Sequence, residues 1–137
     1  MQQSDVIAAK IDIGELAAKY GHYCDHEGWD GVLDLFTEDA VFDASSVYGT
    51  TMTGKTELRQ FFEGAPEAVA HHPTSLFTEL GADGSALTRC KMLVLFRRQV
   101  FSVDYQWELV RHDGRWLIRR QTIGVVGKVR LAEGAPA

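Results

Sequence analysis

The chain is poor in the features that mark several functional classes. It has two cysteines in 137 residues, Cys24 and Cys90, too few for a disulfide framework. They pair only if the fold brings them together. It has three prolines, and no repeat or low-complexity segment. No Lys/Arg cluster stands out among 14 basic and 19 acidic residues, and the net charge is -5, so nucleic acid is not an expected partner. The pairs Arg97-Arg98 and Arg119-Arg120 read as a solvated sheet face. No apolar run approaches a membrane span, and the N-terminus lacks a basic-then-apolar leader pattern. These absences point to a cytoplasmic protein without a membrane partner. What is present is ordinary for a globular domain: 45% hydrophobic and 24% charged residues. The length suits one domain over residues 1–137, with an ordered core over about 4–126 and disordered ends at 1–4 and 132–137.

Helical periodicity covers residues 4–27. Val6, Ala9, Ile13, Leu16, Tyr20, Tyr23 and Cys24 form one stripe, opposite Asp12, Glu15, Lys19, His22 and His26. Ser4 or Asp5 suits the cap, and Gly28 the stop. A short helix is predicted over 30–36, with Val32, Leu33 and Phe36 inward, and a third over 55–63. Strands are predicted over 40–43, 49–53, 74–80, 85–98, 100–111 and 115–126. Asp113-Gly114 is a strong hairpin signal. Helices followed by a meander of long strands give an α+β fold. One apolar helix stripe cannot fill the concave face of such a sheet, so a pocket is expected between them.

Five segments, residues 20–30 (YGHYCDHEGWD), 35–42 (LFTEDAVF), 54–61 (GKTELRQF), 71–75 (HHPTS) and 113–118 (DGRWLI), together resemble the SnoaL-like family of the nuclear-transport-factor-2-like superfamily. Their order and spacing carry more than any one of them. The resemblance implies a cone-shaped α+β barrel, with N-terminal helices on a strongly curved, mostly antiparallel sheet enclosing a pocket. The superfamily includes scytalone and bile-acid dehydratases, a dehydrochlorinase, ketosteroid isomerase, polyketide cyclases and non-catalytic modules, so fold alone does not fix function. In its lyase members an aspartate ending the first helix pairs with a histidine opening the third strand. Those positions match Asp25 and His71, and a first-helix tyrosine matches Tyr20. Such families also pair commonly through the outer sheet face, which implies a possible homodimer.

The residue types suit that chemistry. Elimination beside a carbonyl needs a base partly unprotonated near neutral pH, and histidine qualifies. A carboxylate holds the imidazole in one tautomer and stabilises its cation. A phenol donates to a developing oxyanion or leaving hydroxyl. The step needs neither metal nor cofactor. The expected activity is a lyase (dehydratase) or isomerase acting on a small hydrophobic, cyclic, oxygenated substrate, with His71 as base, Asp25 orienting it and Tyr20 assisting at oxygen. A polyketide-type cyclase and a non-catalytic binding module are the competing readings.

Bland alternatives stand beside these assignments. By residue type alone Asp25 is a solvent-facing helix end. His72 exchanges roles with His71 if the strand register slips by one. Tyr20 and Asp25 lie about 140° apart on an ideal helix, although Gly14, Ala17 and Gly21 on the Asp25 side leave room for a strand or ligand. Tyr105, Trp107, Met52, Phe61, Phe77, Met92 and Phe96 are candidate substrate-binding residues, joined by Phe101, and each is also a plausible core residue. His22 and His26 have a metal-compatible spacing but lie on the polar stripe without further ligands, so no metal is expected. Cys24 reads as a buried structural thiol.

Overall fold

A computed structural model describes residues 1–132. The expectation of disorder at 132–137 therefore falls almost wholly outside the described residues. At the other end, the helix already includes Gln3 and Ser4.

Helix α1 runs Gln3–Asp25 and buries Ala9, Ile13, Leu16, Ala17, Tyr20 and Gly21. The predicted polar stripe is exposed throughout. The start is two to three residues earlier than the expected caps, Ser4 or Asp5. Gln2 is the N-cap residue, and its backbone N–H donates to Asp5 Oδ2 at 3.2 Å. The stop also comes early, at a left-handed Glu27 (φ 54°) rather than at Gly28. The Gly28 N–H then closes on Tyr23 O at 2.8 Å, satisfying a terminal carbonyl.

Helix α2 is Trp29–Leu33, β1 is Phe36–Ala44, α3 is the short Ser45–Tyr48, and β2 is Thr50–Thr53. Helix α4, Lys55–Gly64, turns Leu58 and Phe62 into the core. The remaining strands are β3 Ala70–Leu80, β4 Ala86–Leu95, β5 Gln99–His112 and β6 Arg115–Arg130. Strand β1 is longer than predicted, and α3 was not foreseen. Phe36 is buried as expected, but it opens β1 instead of ending the second helix.

The six strands form one open sheet in the order β2-β1-β6-β5-β4-β3. All neighbours are antiparallel except β1 and β6. The helices cover the concave side, as the α+β cone fold requires. Two register shifts along β5–β6 and one in β3–β4 bend the sheet. Each bulge also reverses which face the following residues occupy. In β6, Trp116 and Ile118 point inward; then Leu109 pairs with Ile118 and Glu108 with Arg120, which leaves Arg119 as the extra residue. Beyond it, Gln121 and Ile123 are the inward residues. In β3, Ser75 adopts a left-handed φ of 50° inside the shift between Thr74 and Phe77. Inward positions change there from His71 and Pro73 to Leu76 and Thr78.

Among the described residues no helix is long and apolar enough to cross a membrane. Cys24 and Cys90 are free thiols.

Candidate active site

A cavity of about 960 Å³ lies between the sheet and the ends of α1 and α4. Its walls are mostly apolar, with Phe42, Phe61, Phe62, Phe96, Phe101 and Val103 among them. Phe42 and Phe61 meet edge to face at 5.1 Å, and Trp29 stacks on Phe62 at 5.7 Å. Arg59 of α4 ties the helices together by bonding Asp30 of α2 and Glu63.

The polar end is built where α1 finishes against β3. Gly21 makes that approach possible. A Cβ there would sit 3.0 Å from His71 O and 3.2 Å from Pro73 Cδ. Of the small residues on this side of the helix, Gly21 carries the contact, whereas Gly14 faces open space. One turn on, Asp25 Oδ1 accepts two hydrogen bonds at 2.8 Å, from the His71 backbone N–H and from ring Nδ1. An ionised carboxylate only accepts, so Nδ1 carries a proton, and in the neutral ring the lone pair is then on Nε2. Both side chains are about one-fifth exposed (18% and 19%), which leaves them reachable from the cavity they line. His72 is exposed on the opposite face.

Tyr20 also lines the cavity, despite its angle to Asp25. The space wraps around the last turns of α1. Tyr20 supplies its floor and Asp25 its flank. The Tyr20 ring packs against Trp107 at 5.6 Å and Tyr105 at 5.9 Å. Its hydroxyl accepts from Gln121 Nε2 at 3.1 Å, and Gln121 Oε1 accepts from Trp107 Nε1 at 2.7 Å. Burial raises the Tyr20 phenol well above its ordinary range, with the neighbouring Tyr105 and Cys24 adding to the effect and the Gln121 hydrogen bond opposing it. Burial likewise pushes Cys24 up to about 12, so it is a thiol at neutral pH and a poor nucleophile.

Of the candidate lining residues, Phe61, Phe96, Phe101 and Tyr105 reach the cavity. Four others require correction. Phe77 is on the outer face and 52% exposed, because the Ser75 bulge reverses the alternation before it. Met52, Met92 and Trp107 do point inward but are buried below the cavity wall, and the Trp107 indole N–H is already committed to Gln121. Sequence reasoning missed Gln121. It lies beyond the Arg119 bulge, and uninterrupted alternation from Ile118 assigns it to the solvent face. It also missed the α3 wall residues Val47 and Tyr48. Among the described residues no group of three or more His, Cys, Asp or Glu is arranged to hold a metal. His22 and His26 are exposed.

The SnoaL-like domain family matches residues 5–122, and the chain belongs to it. No curated protein matches the chain in sequence. Among solved structures, a proposed aromatic ring hydroxylase from Novosphingobium aromaticivorans is 26% identical, with a TM-score of 0.78 over 90% of this chain and 94% of that one. A proposed scytalone dehydratase from the same organism is 15% identical (TM-score 0.81, covering 99% and 100%). The hexachlorocyclohexane dehydrochlorinase LinA-type3 of Novosphingobium barchaimii is 16% identical (TM-score 0.83, 99% of each chain). The last two show the shared fold.

Proposed function

We propose that this member of the SnoaL-like family is a cofactor-independent lyase, with isomerisation as the closely related outcome, acting on a small hydrophobic, cyclic, oxygenated substrate. The observation that carries the reading is the Asp25–His71 pair on the wall of an aromatic cavity. Asp25 Oδ1 takes both His71 protons that face it, which fixes the ring and its tautomer. The free Nε2 is then the base for a proton beside a carbonyl or leaving group, and the Asp25 carboxylate stabilises the imidazolium that forms. Tyr20 donates to the oxygen where negative charge develops. His71, Asp25 and Tyr20 are the proposed catalytic residues, and Tyr105, Phe61 and Phe96 the proposed substrate contacts. A proposed dehydratase and a dehydrochlorinase of the same fold agree with such an elimination.

The reading is tested with a panel of cyclic alcohols, ketones and halides, following loss of water or halide by mass spectrometry. With a substrate in hand, His71→Ala and Asp25→Asn, made separately, are each expected to lower kcat by about 10² to 10⁴-fold. Turnover that survives both changes contradicts the dyad mechanism. Retention in His71→Ala alone favours a cyclase, and a tightly bound ligand recovered unchanged favours a binding module. The proposal extends to a cytoplasmic homodimer paired through the outer sheet face, where Phe77 and Leu93 are exposed. Light scattering of the purified protein is expected to give twice the mass of one chain, and a monomer contradicts that part.

A further inference from the structure

The hydrogen bonds beneath the cavity floor have a direction. An indole N–H only donates, so Trp107 Nε1 must face the carbonyl oxygen of Gln121, at 2.7 Å. Turning the amide over would set an NH₂ group against that N–H. Trp107 and Gln121 are both fully buried, where two opposed donors are costly. The amide is therefore held one way round, with Nε2 towards Tyr20 Oη at 3.1 Å. A phenol proton prefers the plane of its ring and points to one side or the other. One side of Tyr20 is taken by the incoming Gln121 proton. Tyr105 and Cys24, which line the cavity, are the other polar side chains beside this hydroxyl.

We propose that Gln121 is a positioning residue for the reaction: clamped by Trp107, it makes Tyr20 an acceptor from below and so directs the Tyr20 proton into the cavity. This rests on the reading of the cavity as the substrate site and deepens it, because it names the group that makes Tyr20 a donor there. Without Gln121 the hydroxyl is free to rotate, and its acceptor side is unsatisfied. With a carboxylate in its place the bond reverses, since the carboxylate can only accept and Tyr20 turns to donate to it. A donor fixed before the substrate arrives needs no reorganisation during the reaction.

The test uses the infrared C–O stretch of Tyr20, which separates a phenol that accepts and donates from one that only donates. Protein carrying ring-deuterated tyrosine isolates the band by difference from Tyr20→Phe. The band is expected to move in Gln121→Leu to the position of a pure donor. In Gln121→Glu it is expected to move further, and to return towards the wild-type position as acid protonates the new carboxyl. That pH dependence is absent from the wild type, and a merely structural role does not produce it. An identical band in the wild type, Gln121→Leu and Gln121→Glu overturns the proposal. A second arm uses cyclohexanone labelled with carbon-13 at its carbonyl. Its stretch is expected to fall on binding to the wild type and to His71→Ala, but not to Tyr20→Phe or to Gln121→Glu at high pH. If the tyrosine band responds while the ketone carbonyl stays unshifted in the wild type, the direction of the Tyr20 bond stands and the cavity's role as an oxygen-binding site is what fails.

Discussion

Gly21 is where a single hydrogen atom decides whether the Asp25–His71 pair can form. It lets β3 lie against α1 so closely that the His71 carbonyl is 3.0 Å from where a Cβ would be. Alanine is the better helix former by about 1 kcal/mol, but its methyl meets a backbone oxygen and the proline ring of Pro73, neither of which moves easily. Gly21→Ala is therefore expected to lower Tm and to loosen the Asp25–His71 bond, seen as a reduced kcat. A raised Tm would mean that the close approach has slack. The cysteines give a second residue-scale expectation. Burial raises Cys24 and Cys90 from an ordinary 9.0 to about 12. Between those values the unfolded chain loses thiol protons that the folded chain keeps, so these groups make stability fall as pH rises from about 9 to 12. Urea midpoints measured across that interval should fall, and more steeply than in the Cys24→Ala, Cys90→Ala protein. At pH 8 both thiols should resist iodoacetamide until the protein is unfolded.

At the scale of elements, the β-bulges do most to shape the site, and they are what the sequence hides. Helix α1 was legible because seven apolar residues repeat at the helical period, and nothing in the tertiary structure overrides that stripe. The hairpin at Asp113-Gly114 was legible because both residues take positive φ there, 52° and 78°. Asp25 and His71 were found through the family resemblance rather than through periodicity. Phe77 and Gln121 were misplaced or missed for one shared reason. A period-two reading carries the face of one residue to the next, and a one-residue bulge at Ser75 or Arg119 reverses it without any change in composition. Ser75 carries the bulge with a left-handed φ of 50°, a conformation that a β-branched side chain resists. Ser75→Val is expected to cost about 1 to 2 kcal/mol in urea unfolding, whereas Ser75→Gly should be neutral or slightly stabilising. Equal stability of the two variants would show that the bulge relaxes readily.

Over the whole molecule, the helices and the bent sheet make a cavity whose charged lining is of one sign. Among the described residues its walls include Asp25, Glu27, Glu63 and Glu67, and no Lys or Arg. An anionic ligand entering it loses hydration and gains no fixed cation, so neutral ring compounds are favoured. Equilibrium dialysis should show cyclohexanol binding more tightly than cyclohexanecarboxylate at neutral pH, with the gap narrowing as salt is raised. Tighter binding of the carboxylate would contradict this account of selectivity.

The central claim is that Asp25 holds His71 with Nδ1 protonated and Nε2 open to the cavity. Nitrogen-15 NMR of histidine-labelled protein reads this directly, with His71→Gln identifying the signals. The account predicts that the neutral His71 ring has its proton on Nδ1 and a lone pair on Nε2, and that Asp25→Asn weakens this preference. A neutral His71 protonated on Nε2, unchanged by Asp25→Asn, would contradict it.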